Sequence, residues 1–223
     1  MNDSSVGPPS SSVKQPHIVG VGGTIKSGSN TELALHAILG AARGLGATTT
    51  LVTGVELAQL PLYAPDSGVR TSSQRRFVDL IRQADGLVLA TPSYHAGVSG
   101  LIKNALDLLE DLREDVRPYL DGRAVGCVVV GAGMQGPGAT LTSVRTIIHA
   151  LRGWPTPLGL TLNSSEPLFD ANGQPLDART RDQMRIVASQ VVSFAERIAR
   201  RPVGADGASS AVRAPLDRAL VGD

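Results

Sequence analysis

Short runs rich in β-branched and apolar residues alternate strictly with stretches of helical periodicity along this chain. The runs are His17 to Gly22 (HIVGVG), Thr48 to Thr53 (TTTLVT), Gly86 to Thr91 (GLVLAT), Ala124 to Gly131 (AVGCVVVG) and Leu158 to Leu162 (LGLTL). Apolar residues recur three and four apart at Leu35, Ile38, Leu39 and Ala42, then at Phe77, Leu80, Ile81 and Ala84, and at Ile102, Ala105, Leu106 and Leu109. The same period returns at Leu141, Val144, Ile148 and Leu151, and at Met184, Val187, Val191, Phe194 and Ile198. Strands without polar alternation are covered on both faces, which alternating β and α segments achieve by parallel pairing. Right-handed crossovers leave few topologies. The chain is therefore expected to be α/β, a doubly wound five-stranded parallel sheet with helices on both faces. In such sheets ligands sit at the carboxyl ends of the strands, so the loops after the first, third and fourth strands are the ones to read.

Composition narrows the rest. At 223 residues the chain suits one domain, expected over residues 16–200, with small, polar, irregular tails at 1–15 and 201–223. A formal net charge of +1 with scattered basic residues lacks the footprint of a nucleic-acid binder. The single cysteine, Cys127, excludes an intrachain disulfide framework and lies mid-strand among valines, where a buried structural thiol is expected. His36 and His149 fall inside helices without a metal-ligand pattern, so no metal site is expected. The N-terminus lacks the basic start and apolar run of a secretory signal, and no apolar stretch approaches the length of a membrane span; a cytoplasmic protein is expected.

The first loop, GTIKSGSNT at Gly23 to Thr31, sets Thr24, Lys26, Ser29, Asn30 and Thr31 just before a helix. Helix N-termini present unpaired N–H groups and the positive end of the macrodipole, so hydroxyls and one cation here suit a terminal phosphate. The loop lacks the Gly-Lys-Ser/Thr ending of a P-loop and the three spaced glycines of a dinucleotide fingerprint, which leaves a mononucleotide. Ser29 and Glu32 also fit an ordinary capping box with no ligand at all.

The second loop opens TPSYHAGVSGLIKNALDLL, Thr91 to Leu109. Pro92, Ser93, Tyr94, His95 and Gly97, with small neighbours, let backbone approach a flat ligand and leave N–H groups for its polar edge. A Pro-initiated turn with a surface tyrosine explains the same residues without a ligand. Lys103 and Asp107 stand four apart as a helix ion pair. The third loop, GAGMQGPG at Gly131 to Gly138, offers Gly133 and Gln135 as further contacts or is simply a connection. Tyr63, in LPLYAPD at Leu60 to Asp66, could stack on a ring or lie on the surface.

Together GTIKSGSNT and TPSYHAGVSGLIKNALD resemble the NADPH-dependent FMN reductase family, flavodoxin-like proteins that include flavin, quinone, azo-dye and chromate reductases. The likeness spans about Pro16 to Arg200. It implies that Thr24, Lys26, Ser29, Asn30 and Thr31 hold the FMN phosphate, that Pro92, Ser93, Tyr94, His95 and Gly97 border the isoalloxazine, and that Gly133 and Gln135 reach its polar edge. Lys26 stands where the family usually has Arg, keeping the charge but losing the planar two-pronged donor.

The resemblance further implies hydride transfer from NADPH or NADH to FMN N5, with no catalytic side chain required and backbone N–H groups of the second and third loops offsetting charge on the reduced ring. The reduced flavin is then released, for instance to a flavin-dependent monooxygenase, or reoxidised in place by a small-molecule acceptor such as a quinone or azo compound. A homodimer or homotetramer is expected. Two other readings share the fold: a one-electron carrier, which the near-neutral charge disfavours, and a non-catalytic flavin-binding regulator.

Overall fold

A computed structural model describes residues 15–200, so apart from Gln15 the two expected tails lie outside the described residues. The elements run β1 (His17–Gly22), α1 (Asn30–Gly44), β2 (Thr48–Val52), α2 (Gly54–Leu57), α3 (Ser72–Gln83), β3 (Gly86–Pro92), α4 (Gly100–Asp107), β4 (Ala124–Gly131), α5 (Gln135–Ala150), β5 (Trp154–Pro155), β6 (Leu160–Asn163) and α6 (Ala178–Ala199). A 3-10 segment, Leu108–Leu112, follows α4. Every strand pair is parallel, in the order β2-β1-β3-β4-β5, with β6 also on β4. The winding reverses between β1 and β3, the switch point at which doubly wound sheets of this order open a crevice.

Neighbouring strand residues face opposite sides, which is why unbroken apolar runs were required. Leu87 and Leu89 of β3 and Val125 and Cys127 of β4 join one core with Phe77, Ile81, Ile102 and Ile148 of α3, α4 and α5. Val88, Ala90, Val128 and Val130 join the other with Leu35, Ile38, Val187 and Val191 of α1 and α6. Each large side chain so buried contributes about 1.5–3 kcal/mol.

The sheet is five positions wide, as its pattern predicts, but two short strands share the last position. β5 pairs with Ala124 and Val125, and β6 with Val128 to Gly131. Pro155 and Pro157 have no N–H to donate, so the ladder along β4 is interrupted between them. The Leu158 N–H instead donates to Gln190 Oε1 at 3.1 Å. α2 is a further addition: its Thr53–Glu56 capping box was not read from the pattern, because four residues are too few to show a period.

The amino ends of the strands are closed by Arg123, whose guanidinium is fully buried and donates to the carbonyls of Ala84 (3.0 Å), Tyr119 (3.1 Å), Asp121 (3.4 Å) and Arg82 (2.7 Å). Burial lowers its pKa to about 10, helped by nearby Arg117. Cys127 is buried as expected, its thiol pushed up to about 12 by desolvation.

Candidate functional site

At the opposite, carboxyl end the loops after β1, β3 and β4 surround a cleft of about 530 Å³, within the range of small-molecule sites. Eight of the residues singled out from the sequence line it: Thr24, Lys26, Ser29, Asn30, Thr31, Pro92, Ser93 and Tyr94. Gly28, Val130, Gly131, Ala132 and Ser164 complete the wall.

The first loop is shaped by its helix. Ser29 is the N-cap of α1, its Oγ accepting from Glu32 N at 3.4 Å and lying 3.0 Å from Thr31 Oγ1. The Glu32 carboxylate reaches past the cap to the Gly28 N–H at 3.2 Å, where the backbone is left-handed at φ +66°. The cap thus coexists with an open donor set, because helix geometry leaves the Asn30 and Thr31 N–H groups without intrahelical acceptors. Lys26 is exposed and, among the described residues, has no carboxylate partner. Gly54 supports the loop from behind: a Cβ there would lie 1.5 Å from the Thr24 carbonyl oxygen.

The second loop is a tight hairpin. Tyr94 N donates to Gly97 O at 3.1 Å and Gly97 N to Tyr94 O at 2.9 Å. Both residues between them are left-handed, His95 at φ 52° and Ala96 at φ 61°. Two-residue turns with positive φ at both positions favour Asn-Gly, so this pair stores strain beside the cleft. Ser93 ties the loop to α5 through a 2.7 Å bond between its Oγ and Thr140 Oγ1. Gly131 admits that approach, since a Cβ there would come within 3.0 Å of the Ser93 Cβ.

His95, Gly97, Gly133 and Gln135 do not line the cleft. His95 is exposed at the hairpin tip, Gly97 closes the hairpin, and Gln135 opens α5. Gly133, at φ +70°, donates its N–H to Asn163 Oδ1 at 2.8 Å. The N–H groups of Ser93, Tyr94, Gly97 and Gly133 are all engaged by protein acceptors, so they are not open donors for a ring edge. Asn163, at the carboxyl end of β6, also accepts from Ser165 N at 3.1 Å and so joins the third loop to the segment bearing Ser164. No spacing in the sequence marked these two residues; their position just beyond an apolar strand was the available signal.

Other polar residues have local roles. Asn104 accepts from Tyr63 N at 2.8 Å and donates to the Leu60 and Pro61 carbonyls, pinning that loop. Tyr63 packs under Arg70, 5.1 Å from guanidinium to ring centroid, and Arg70 is held by Asp111. Lys103 pairs with Asp107 at 2.6 Å. His36 stands 3.8 Å from Glu32, one turn back. Among the described residues no group of three or more metal-ligating side chains converges, and no helix is long and apolar enough to cross a membrane.

The donor set fits a flavin mononucleotide: hydroxyls, helix N–H groups and one cation for a phosphate, beside a proline, a tyrosine and a glycine-lined wall for a planar ring. Comparison with known proteins agrees. The chain is 28% identical over 178 residues to an NAD(P)H-dependent FMN reductase of Pseudomonas aeruginosa, covering 78% of this chain and 93% of that one. It is 29% identical over 152 residues to an FMN-dependent NADPH-azoreductase of Staphylococcus aureus, covering 62% and 75%. Its fold matches a flavoenzyme NAD(P)H:acceptor oxidoreductase of Paracoccus denitrificans with a TM-score of 0.63 at 19% identity, over 82% of this chain and 98% of that one. The profile of the NADPH-dependent FMN reductases matches residues 16–166, and the chain, with its flavodoxin-like sheet and its cleft at the β1/β3 switch point, belongs to that family.

Proposed function

We propose that the cleft at the carboxyl ends of β1, β3 and β4 is where this NAD(P)H-dependent FMN oxidoreductase holds its flavin. Lys26 and the Asn30 and Thr31 N–H groups bind the phosphate, with the hydroxyls of Thr24, Ser29 and Thr31 closing around it. Pro92, Ser93, Tyr94 and Gly131 border the ring. The observation that carries the assignment is the convergence of the α1 N-terminus, a lysine with no carboxylate partner among the described residues and the small-residue wall on one cleft.

FMN, when bound, supplies the hydride chemistry between NAD(P)H and an electron acceptor. The protein's part is to anchor the phosphate electrostatically, fix the ring against the Pro92–Tyr94 backbone and exclude water from one face. We assign the acceptor to flavins, quinones or azo compounds, and the setting to the cytoplasm, where reduced nicotinamides are supplied. Exposed Ile25, Tyr94 and Met134 around the cleft mouth support a homodimer or homotetramer that covers them.

The test is NADPH oxidation by purified protein with FMN, without and then with a quinone. Absence of FMN binding would overturn the assignment; binding without oxidation would indicate an electron carrier or a regulator. Oxidation that scales with added free FMN would identify flavin as substrate and point to a monooxygenase that receives it. Lys26→Ala is expected to weaken FMN by roughly 1.5–3 kcal/mol, the worth of a charge-assisted bond. Unchanged affinity would mean that the phosphate lies elsewhere.

A further inference from the structure

We propose that a second cleft, between α1, α6 and the turn at residues 170–175, binds a small molecule bearing phosphate groups. Its volume is about 540 Å³, and Arg43, Arg181, Arg185 and His36 line it while no Asp or Glu does, among the described residues. In a chain of net charge +1, three arginines on one cleft are a marked local concentration of positive charge.

The arginines are oriented but not neutralised. Arg43 donates to Thr49 Oγ1 at 2.8 Å and Arg181 to the Pro175 carbonyl at 2.9 Å. Neither has a carboxylate partner among the described residues. Among the described residues Arg185 reaches only the exposed Asp182, at 3.5 Å. Elsewhere Arg70, Arg82 and Arg113 are each held by acids. Of the nearby carboxylates, Asp170 accepts the Asn172 and Gln174 N–H groups, both at 2.8 Å, while Glu32 accepts that of Gly28 and stands 3.8 Å from His36, so it bears on the histidine and not on the arginines. A guanidinium carries five donors in a fixed fork suited to phosphate, and each of these spends few on the protein.

The floor adds a second property. Ala37, Gly40 and Ala41 present almost no side chain, and a Cβ added at Gly44 would meet nothing within 4 Å. At Ala41 and Arg185 the cleft continues into an apolar hollow of about 470 Å³ edged by Leu45 and Ile186, which are 47% and 45% exposed. A basic end running into an apolar hollow suits a phosphate ester with a flat, weakly polar body, such as a nucleoside diphosphate. Inorganic polyphosphate would use the basic end alone.

Calorimetric titration of the FMN-saturated protein with pyrophosphate and with ADP tests this. Both are expected to bind, and Arg43→Ala and Arg185→Ala, both at exposed positions, are each expected to weaken binding about tenfold or more without altering melting or NADPH oxidation. ADP binding tighter than pyrophosphate, with the gain lost in Ile186→Ser, supports the ester; equal binding supports the site with phosphate groups alone as its ligand. No binding of either, or binding unchanged in both arginine variants, would overturn the proposal.

Discussion

Replacing Gly54 by alanine tests how the first loop is held, from a residue outside the cleft wall. The added methyl would lie 1.5 Å from Thr24 O, 2.1 Å from its carbonyl carbon and 2.7 Å from its nitrogen. Non-bonded heavy atoms settle at roughly 3.5 Å, so one backbone must give way by about 2 Å. Gly54 is buried and locked by the Thr53–Glu56 capping box and the 3.0 Å bond from Ala58 N to its carbonyl. On the loop side the Thr24 hydroxyl makes only a 3.3 Å bond to the Lys26 carbonyl. The loop should therefore move, carrying Thr24 and Lys26 out of register with the Asn30 and Thr31 donors.

Overpacking of this kind costs about 1–3 kcal/mol of stability, or about 2–4 °C of melting temperature per kcal/mol for a chain of this size. Loss of one well-placed phosphate bond weakens FMN by about 1.5–3 kcal/mol, roughly tenfold to a hundredfold. Titration of FMN fluorescence beside a thermal melt reads both. Gly44→Ala, at a helical position with open space above it, is the control: it should melt at or above the parent and bind FMN equally. A Gly54→Ala protein with parental FMN affinity would refute the idea that this contact sets the loop.

Three further outcomes are expected. Ala96→Gly should raise stability by roughly 1 kcal/mol in a urea melt by relieving a left-handed alanine, while Gly at exposed Ala139 inside α5 should lower it. Arg123→Ala should cost about 3–5 kcal/mol, because buried carbonyls lose their donor together, so the variant should unfold at markedly lower urea while cleft variants such as Lys26→Ala do not. Asp177 caps α6 by accepting from Thr180, and these bonds hold its carboxyl below the ordinary value of 3.8. A lowered folded pKa means the cap is fully present above that value and lost as pH falls through the lower folded one; amide exchange at Thr180 should quicken there, but not in Asp177→Asn, which caps without titrating.

The fold was legible because both of its faces had to be buried: Leu87 to Ala90 could be apolar in succession only if helices covered each side. The split last strand was not, since Pro155 and Pro157 interrupt pairing on one edge while the apolar pattern continues through Leu158. Lys26 and Ser29 could be singled out because a cation and hydroxyls beside a helix start suit a phosphate, and Ser93 because it stands with Pro92 and Tyr94 among small residues just beyond an apolar strand. Arg123, Asn163 and Gly54 act through contacts with residues distant in the chain, and no local period or spacing encodes those. Glu32 shows the limit within a motif: the capping pattern was readable, but not that its carboxylate would pass the cap and hold Gly28.

Arg123 separates two kinds of evolutionary freedom. Its guanidinium ties the carbonyls of Arg82 and Ala84, at the end of α3, to those of Tyr119 and Asp121 ahead of β4, while the cleft hangs from loops at the carboxyl ends of the strands. Changes of acceptor or of nicotinamide preference can accumulate in those loops without touching the contacts that join α3 to the segment before β4. The same division means that losing this arginine would lower the stability of the scaffold while leaving every residue that lines the cleft in place.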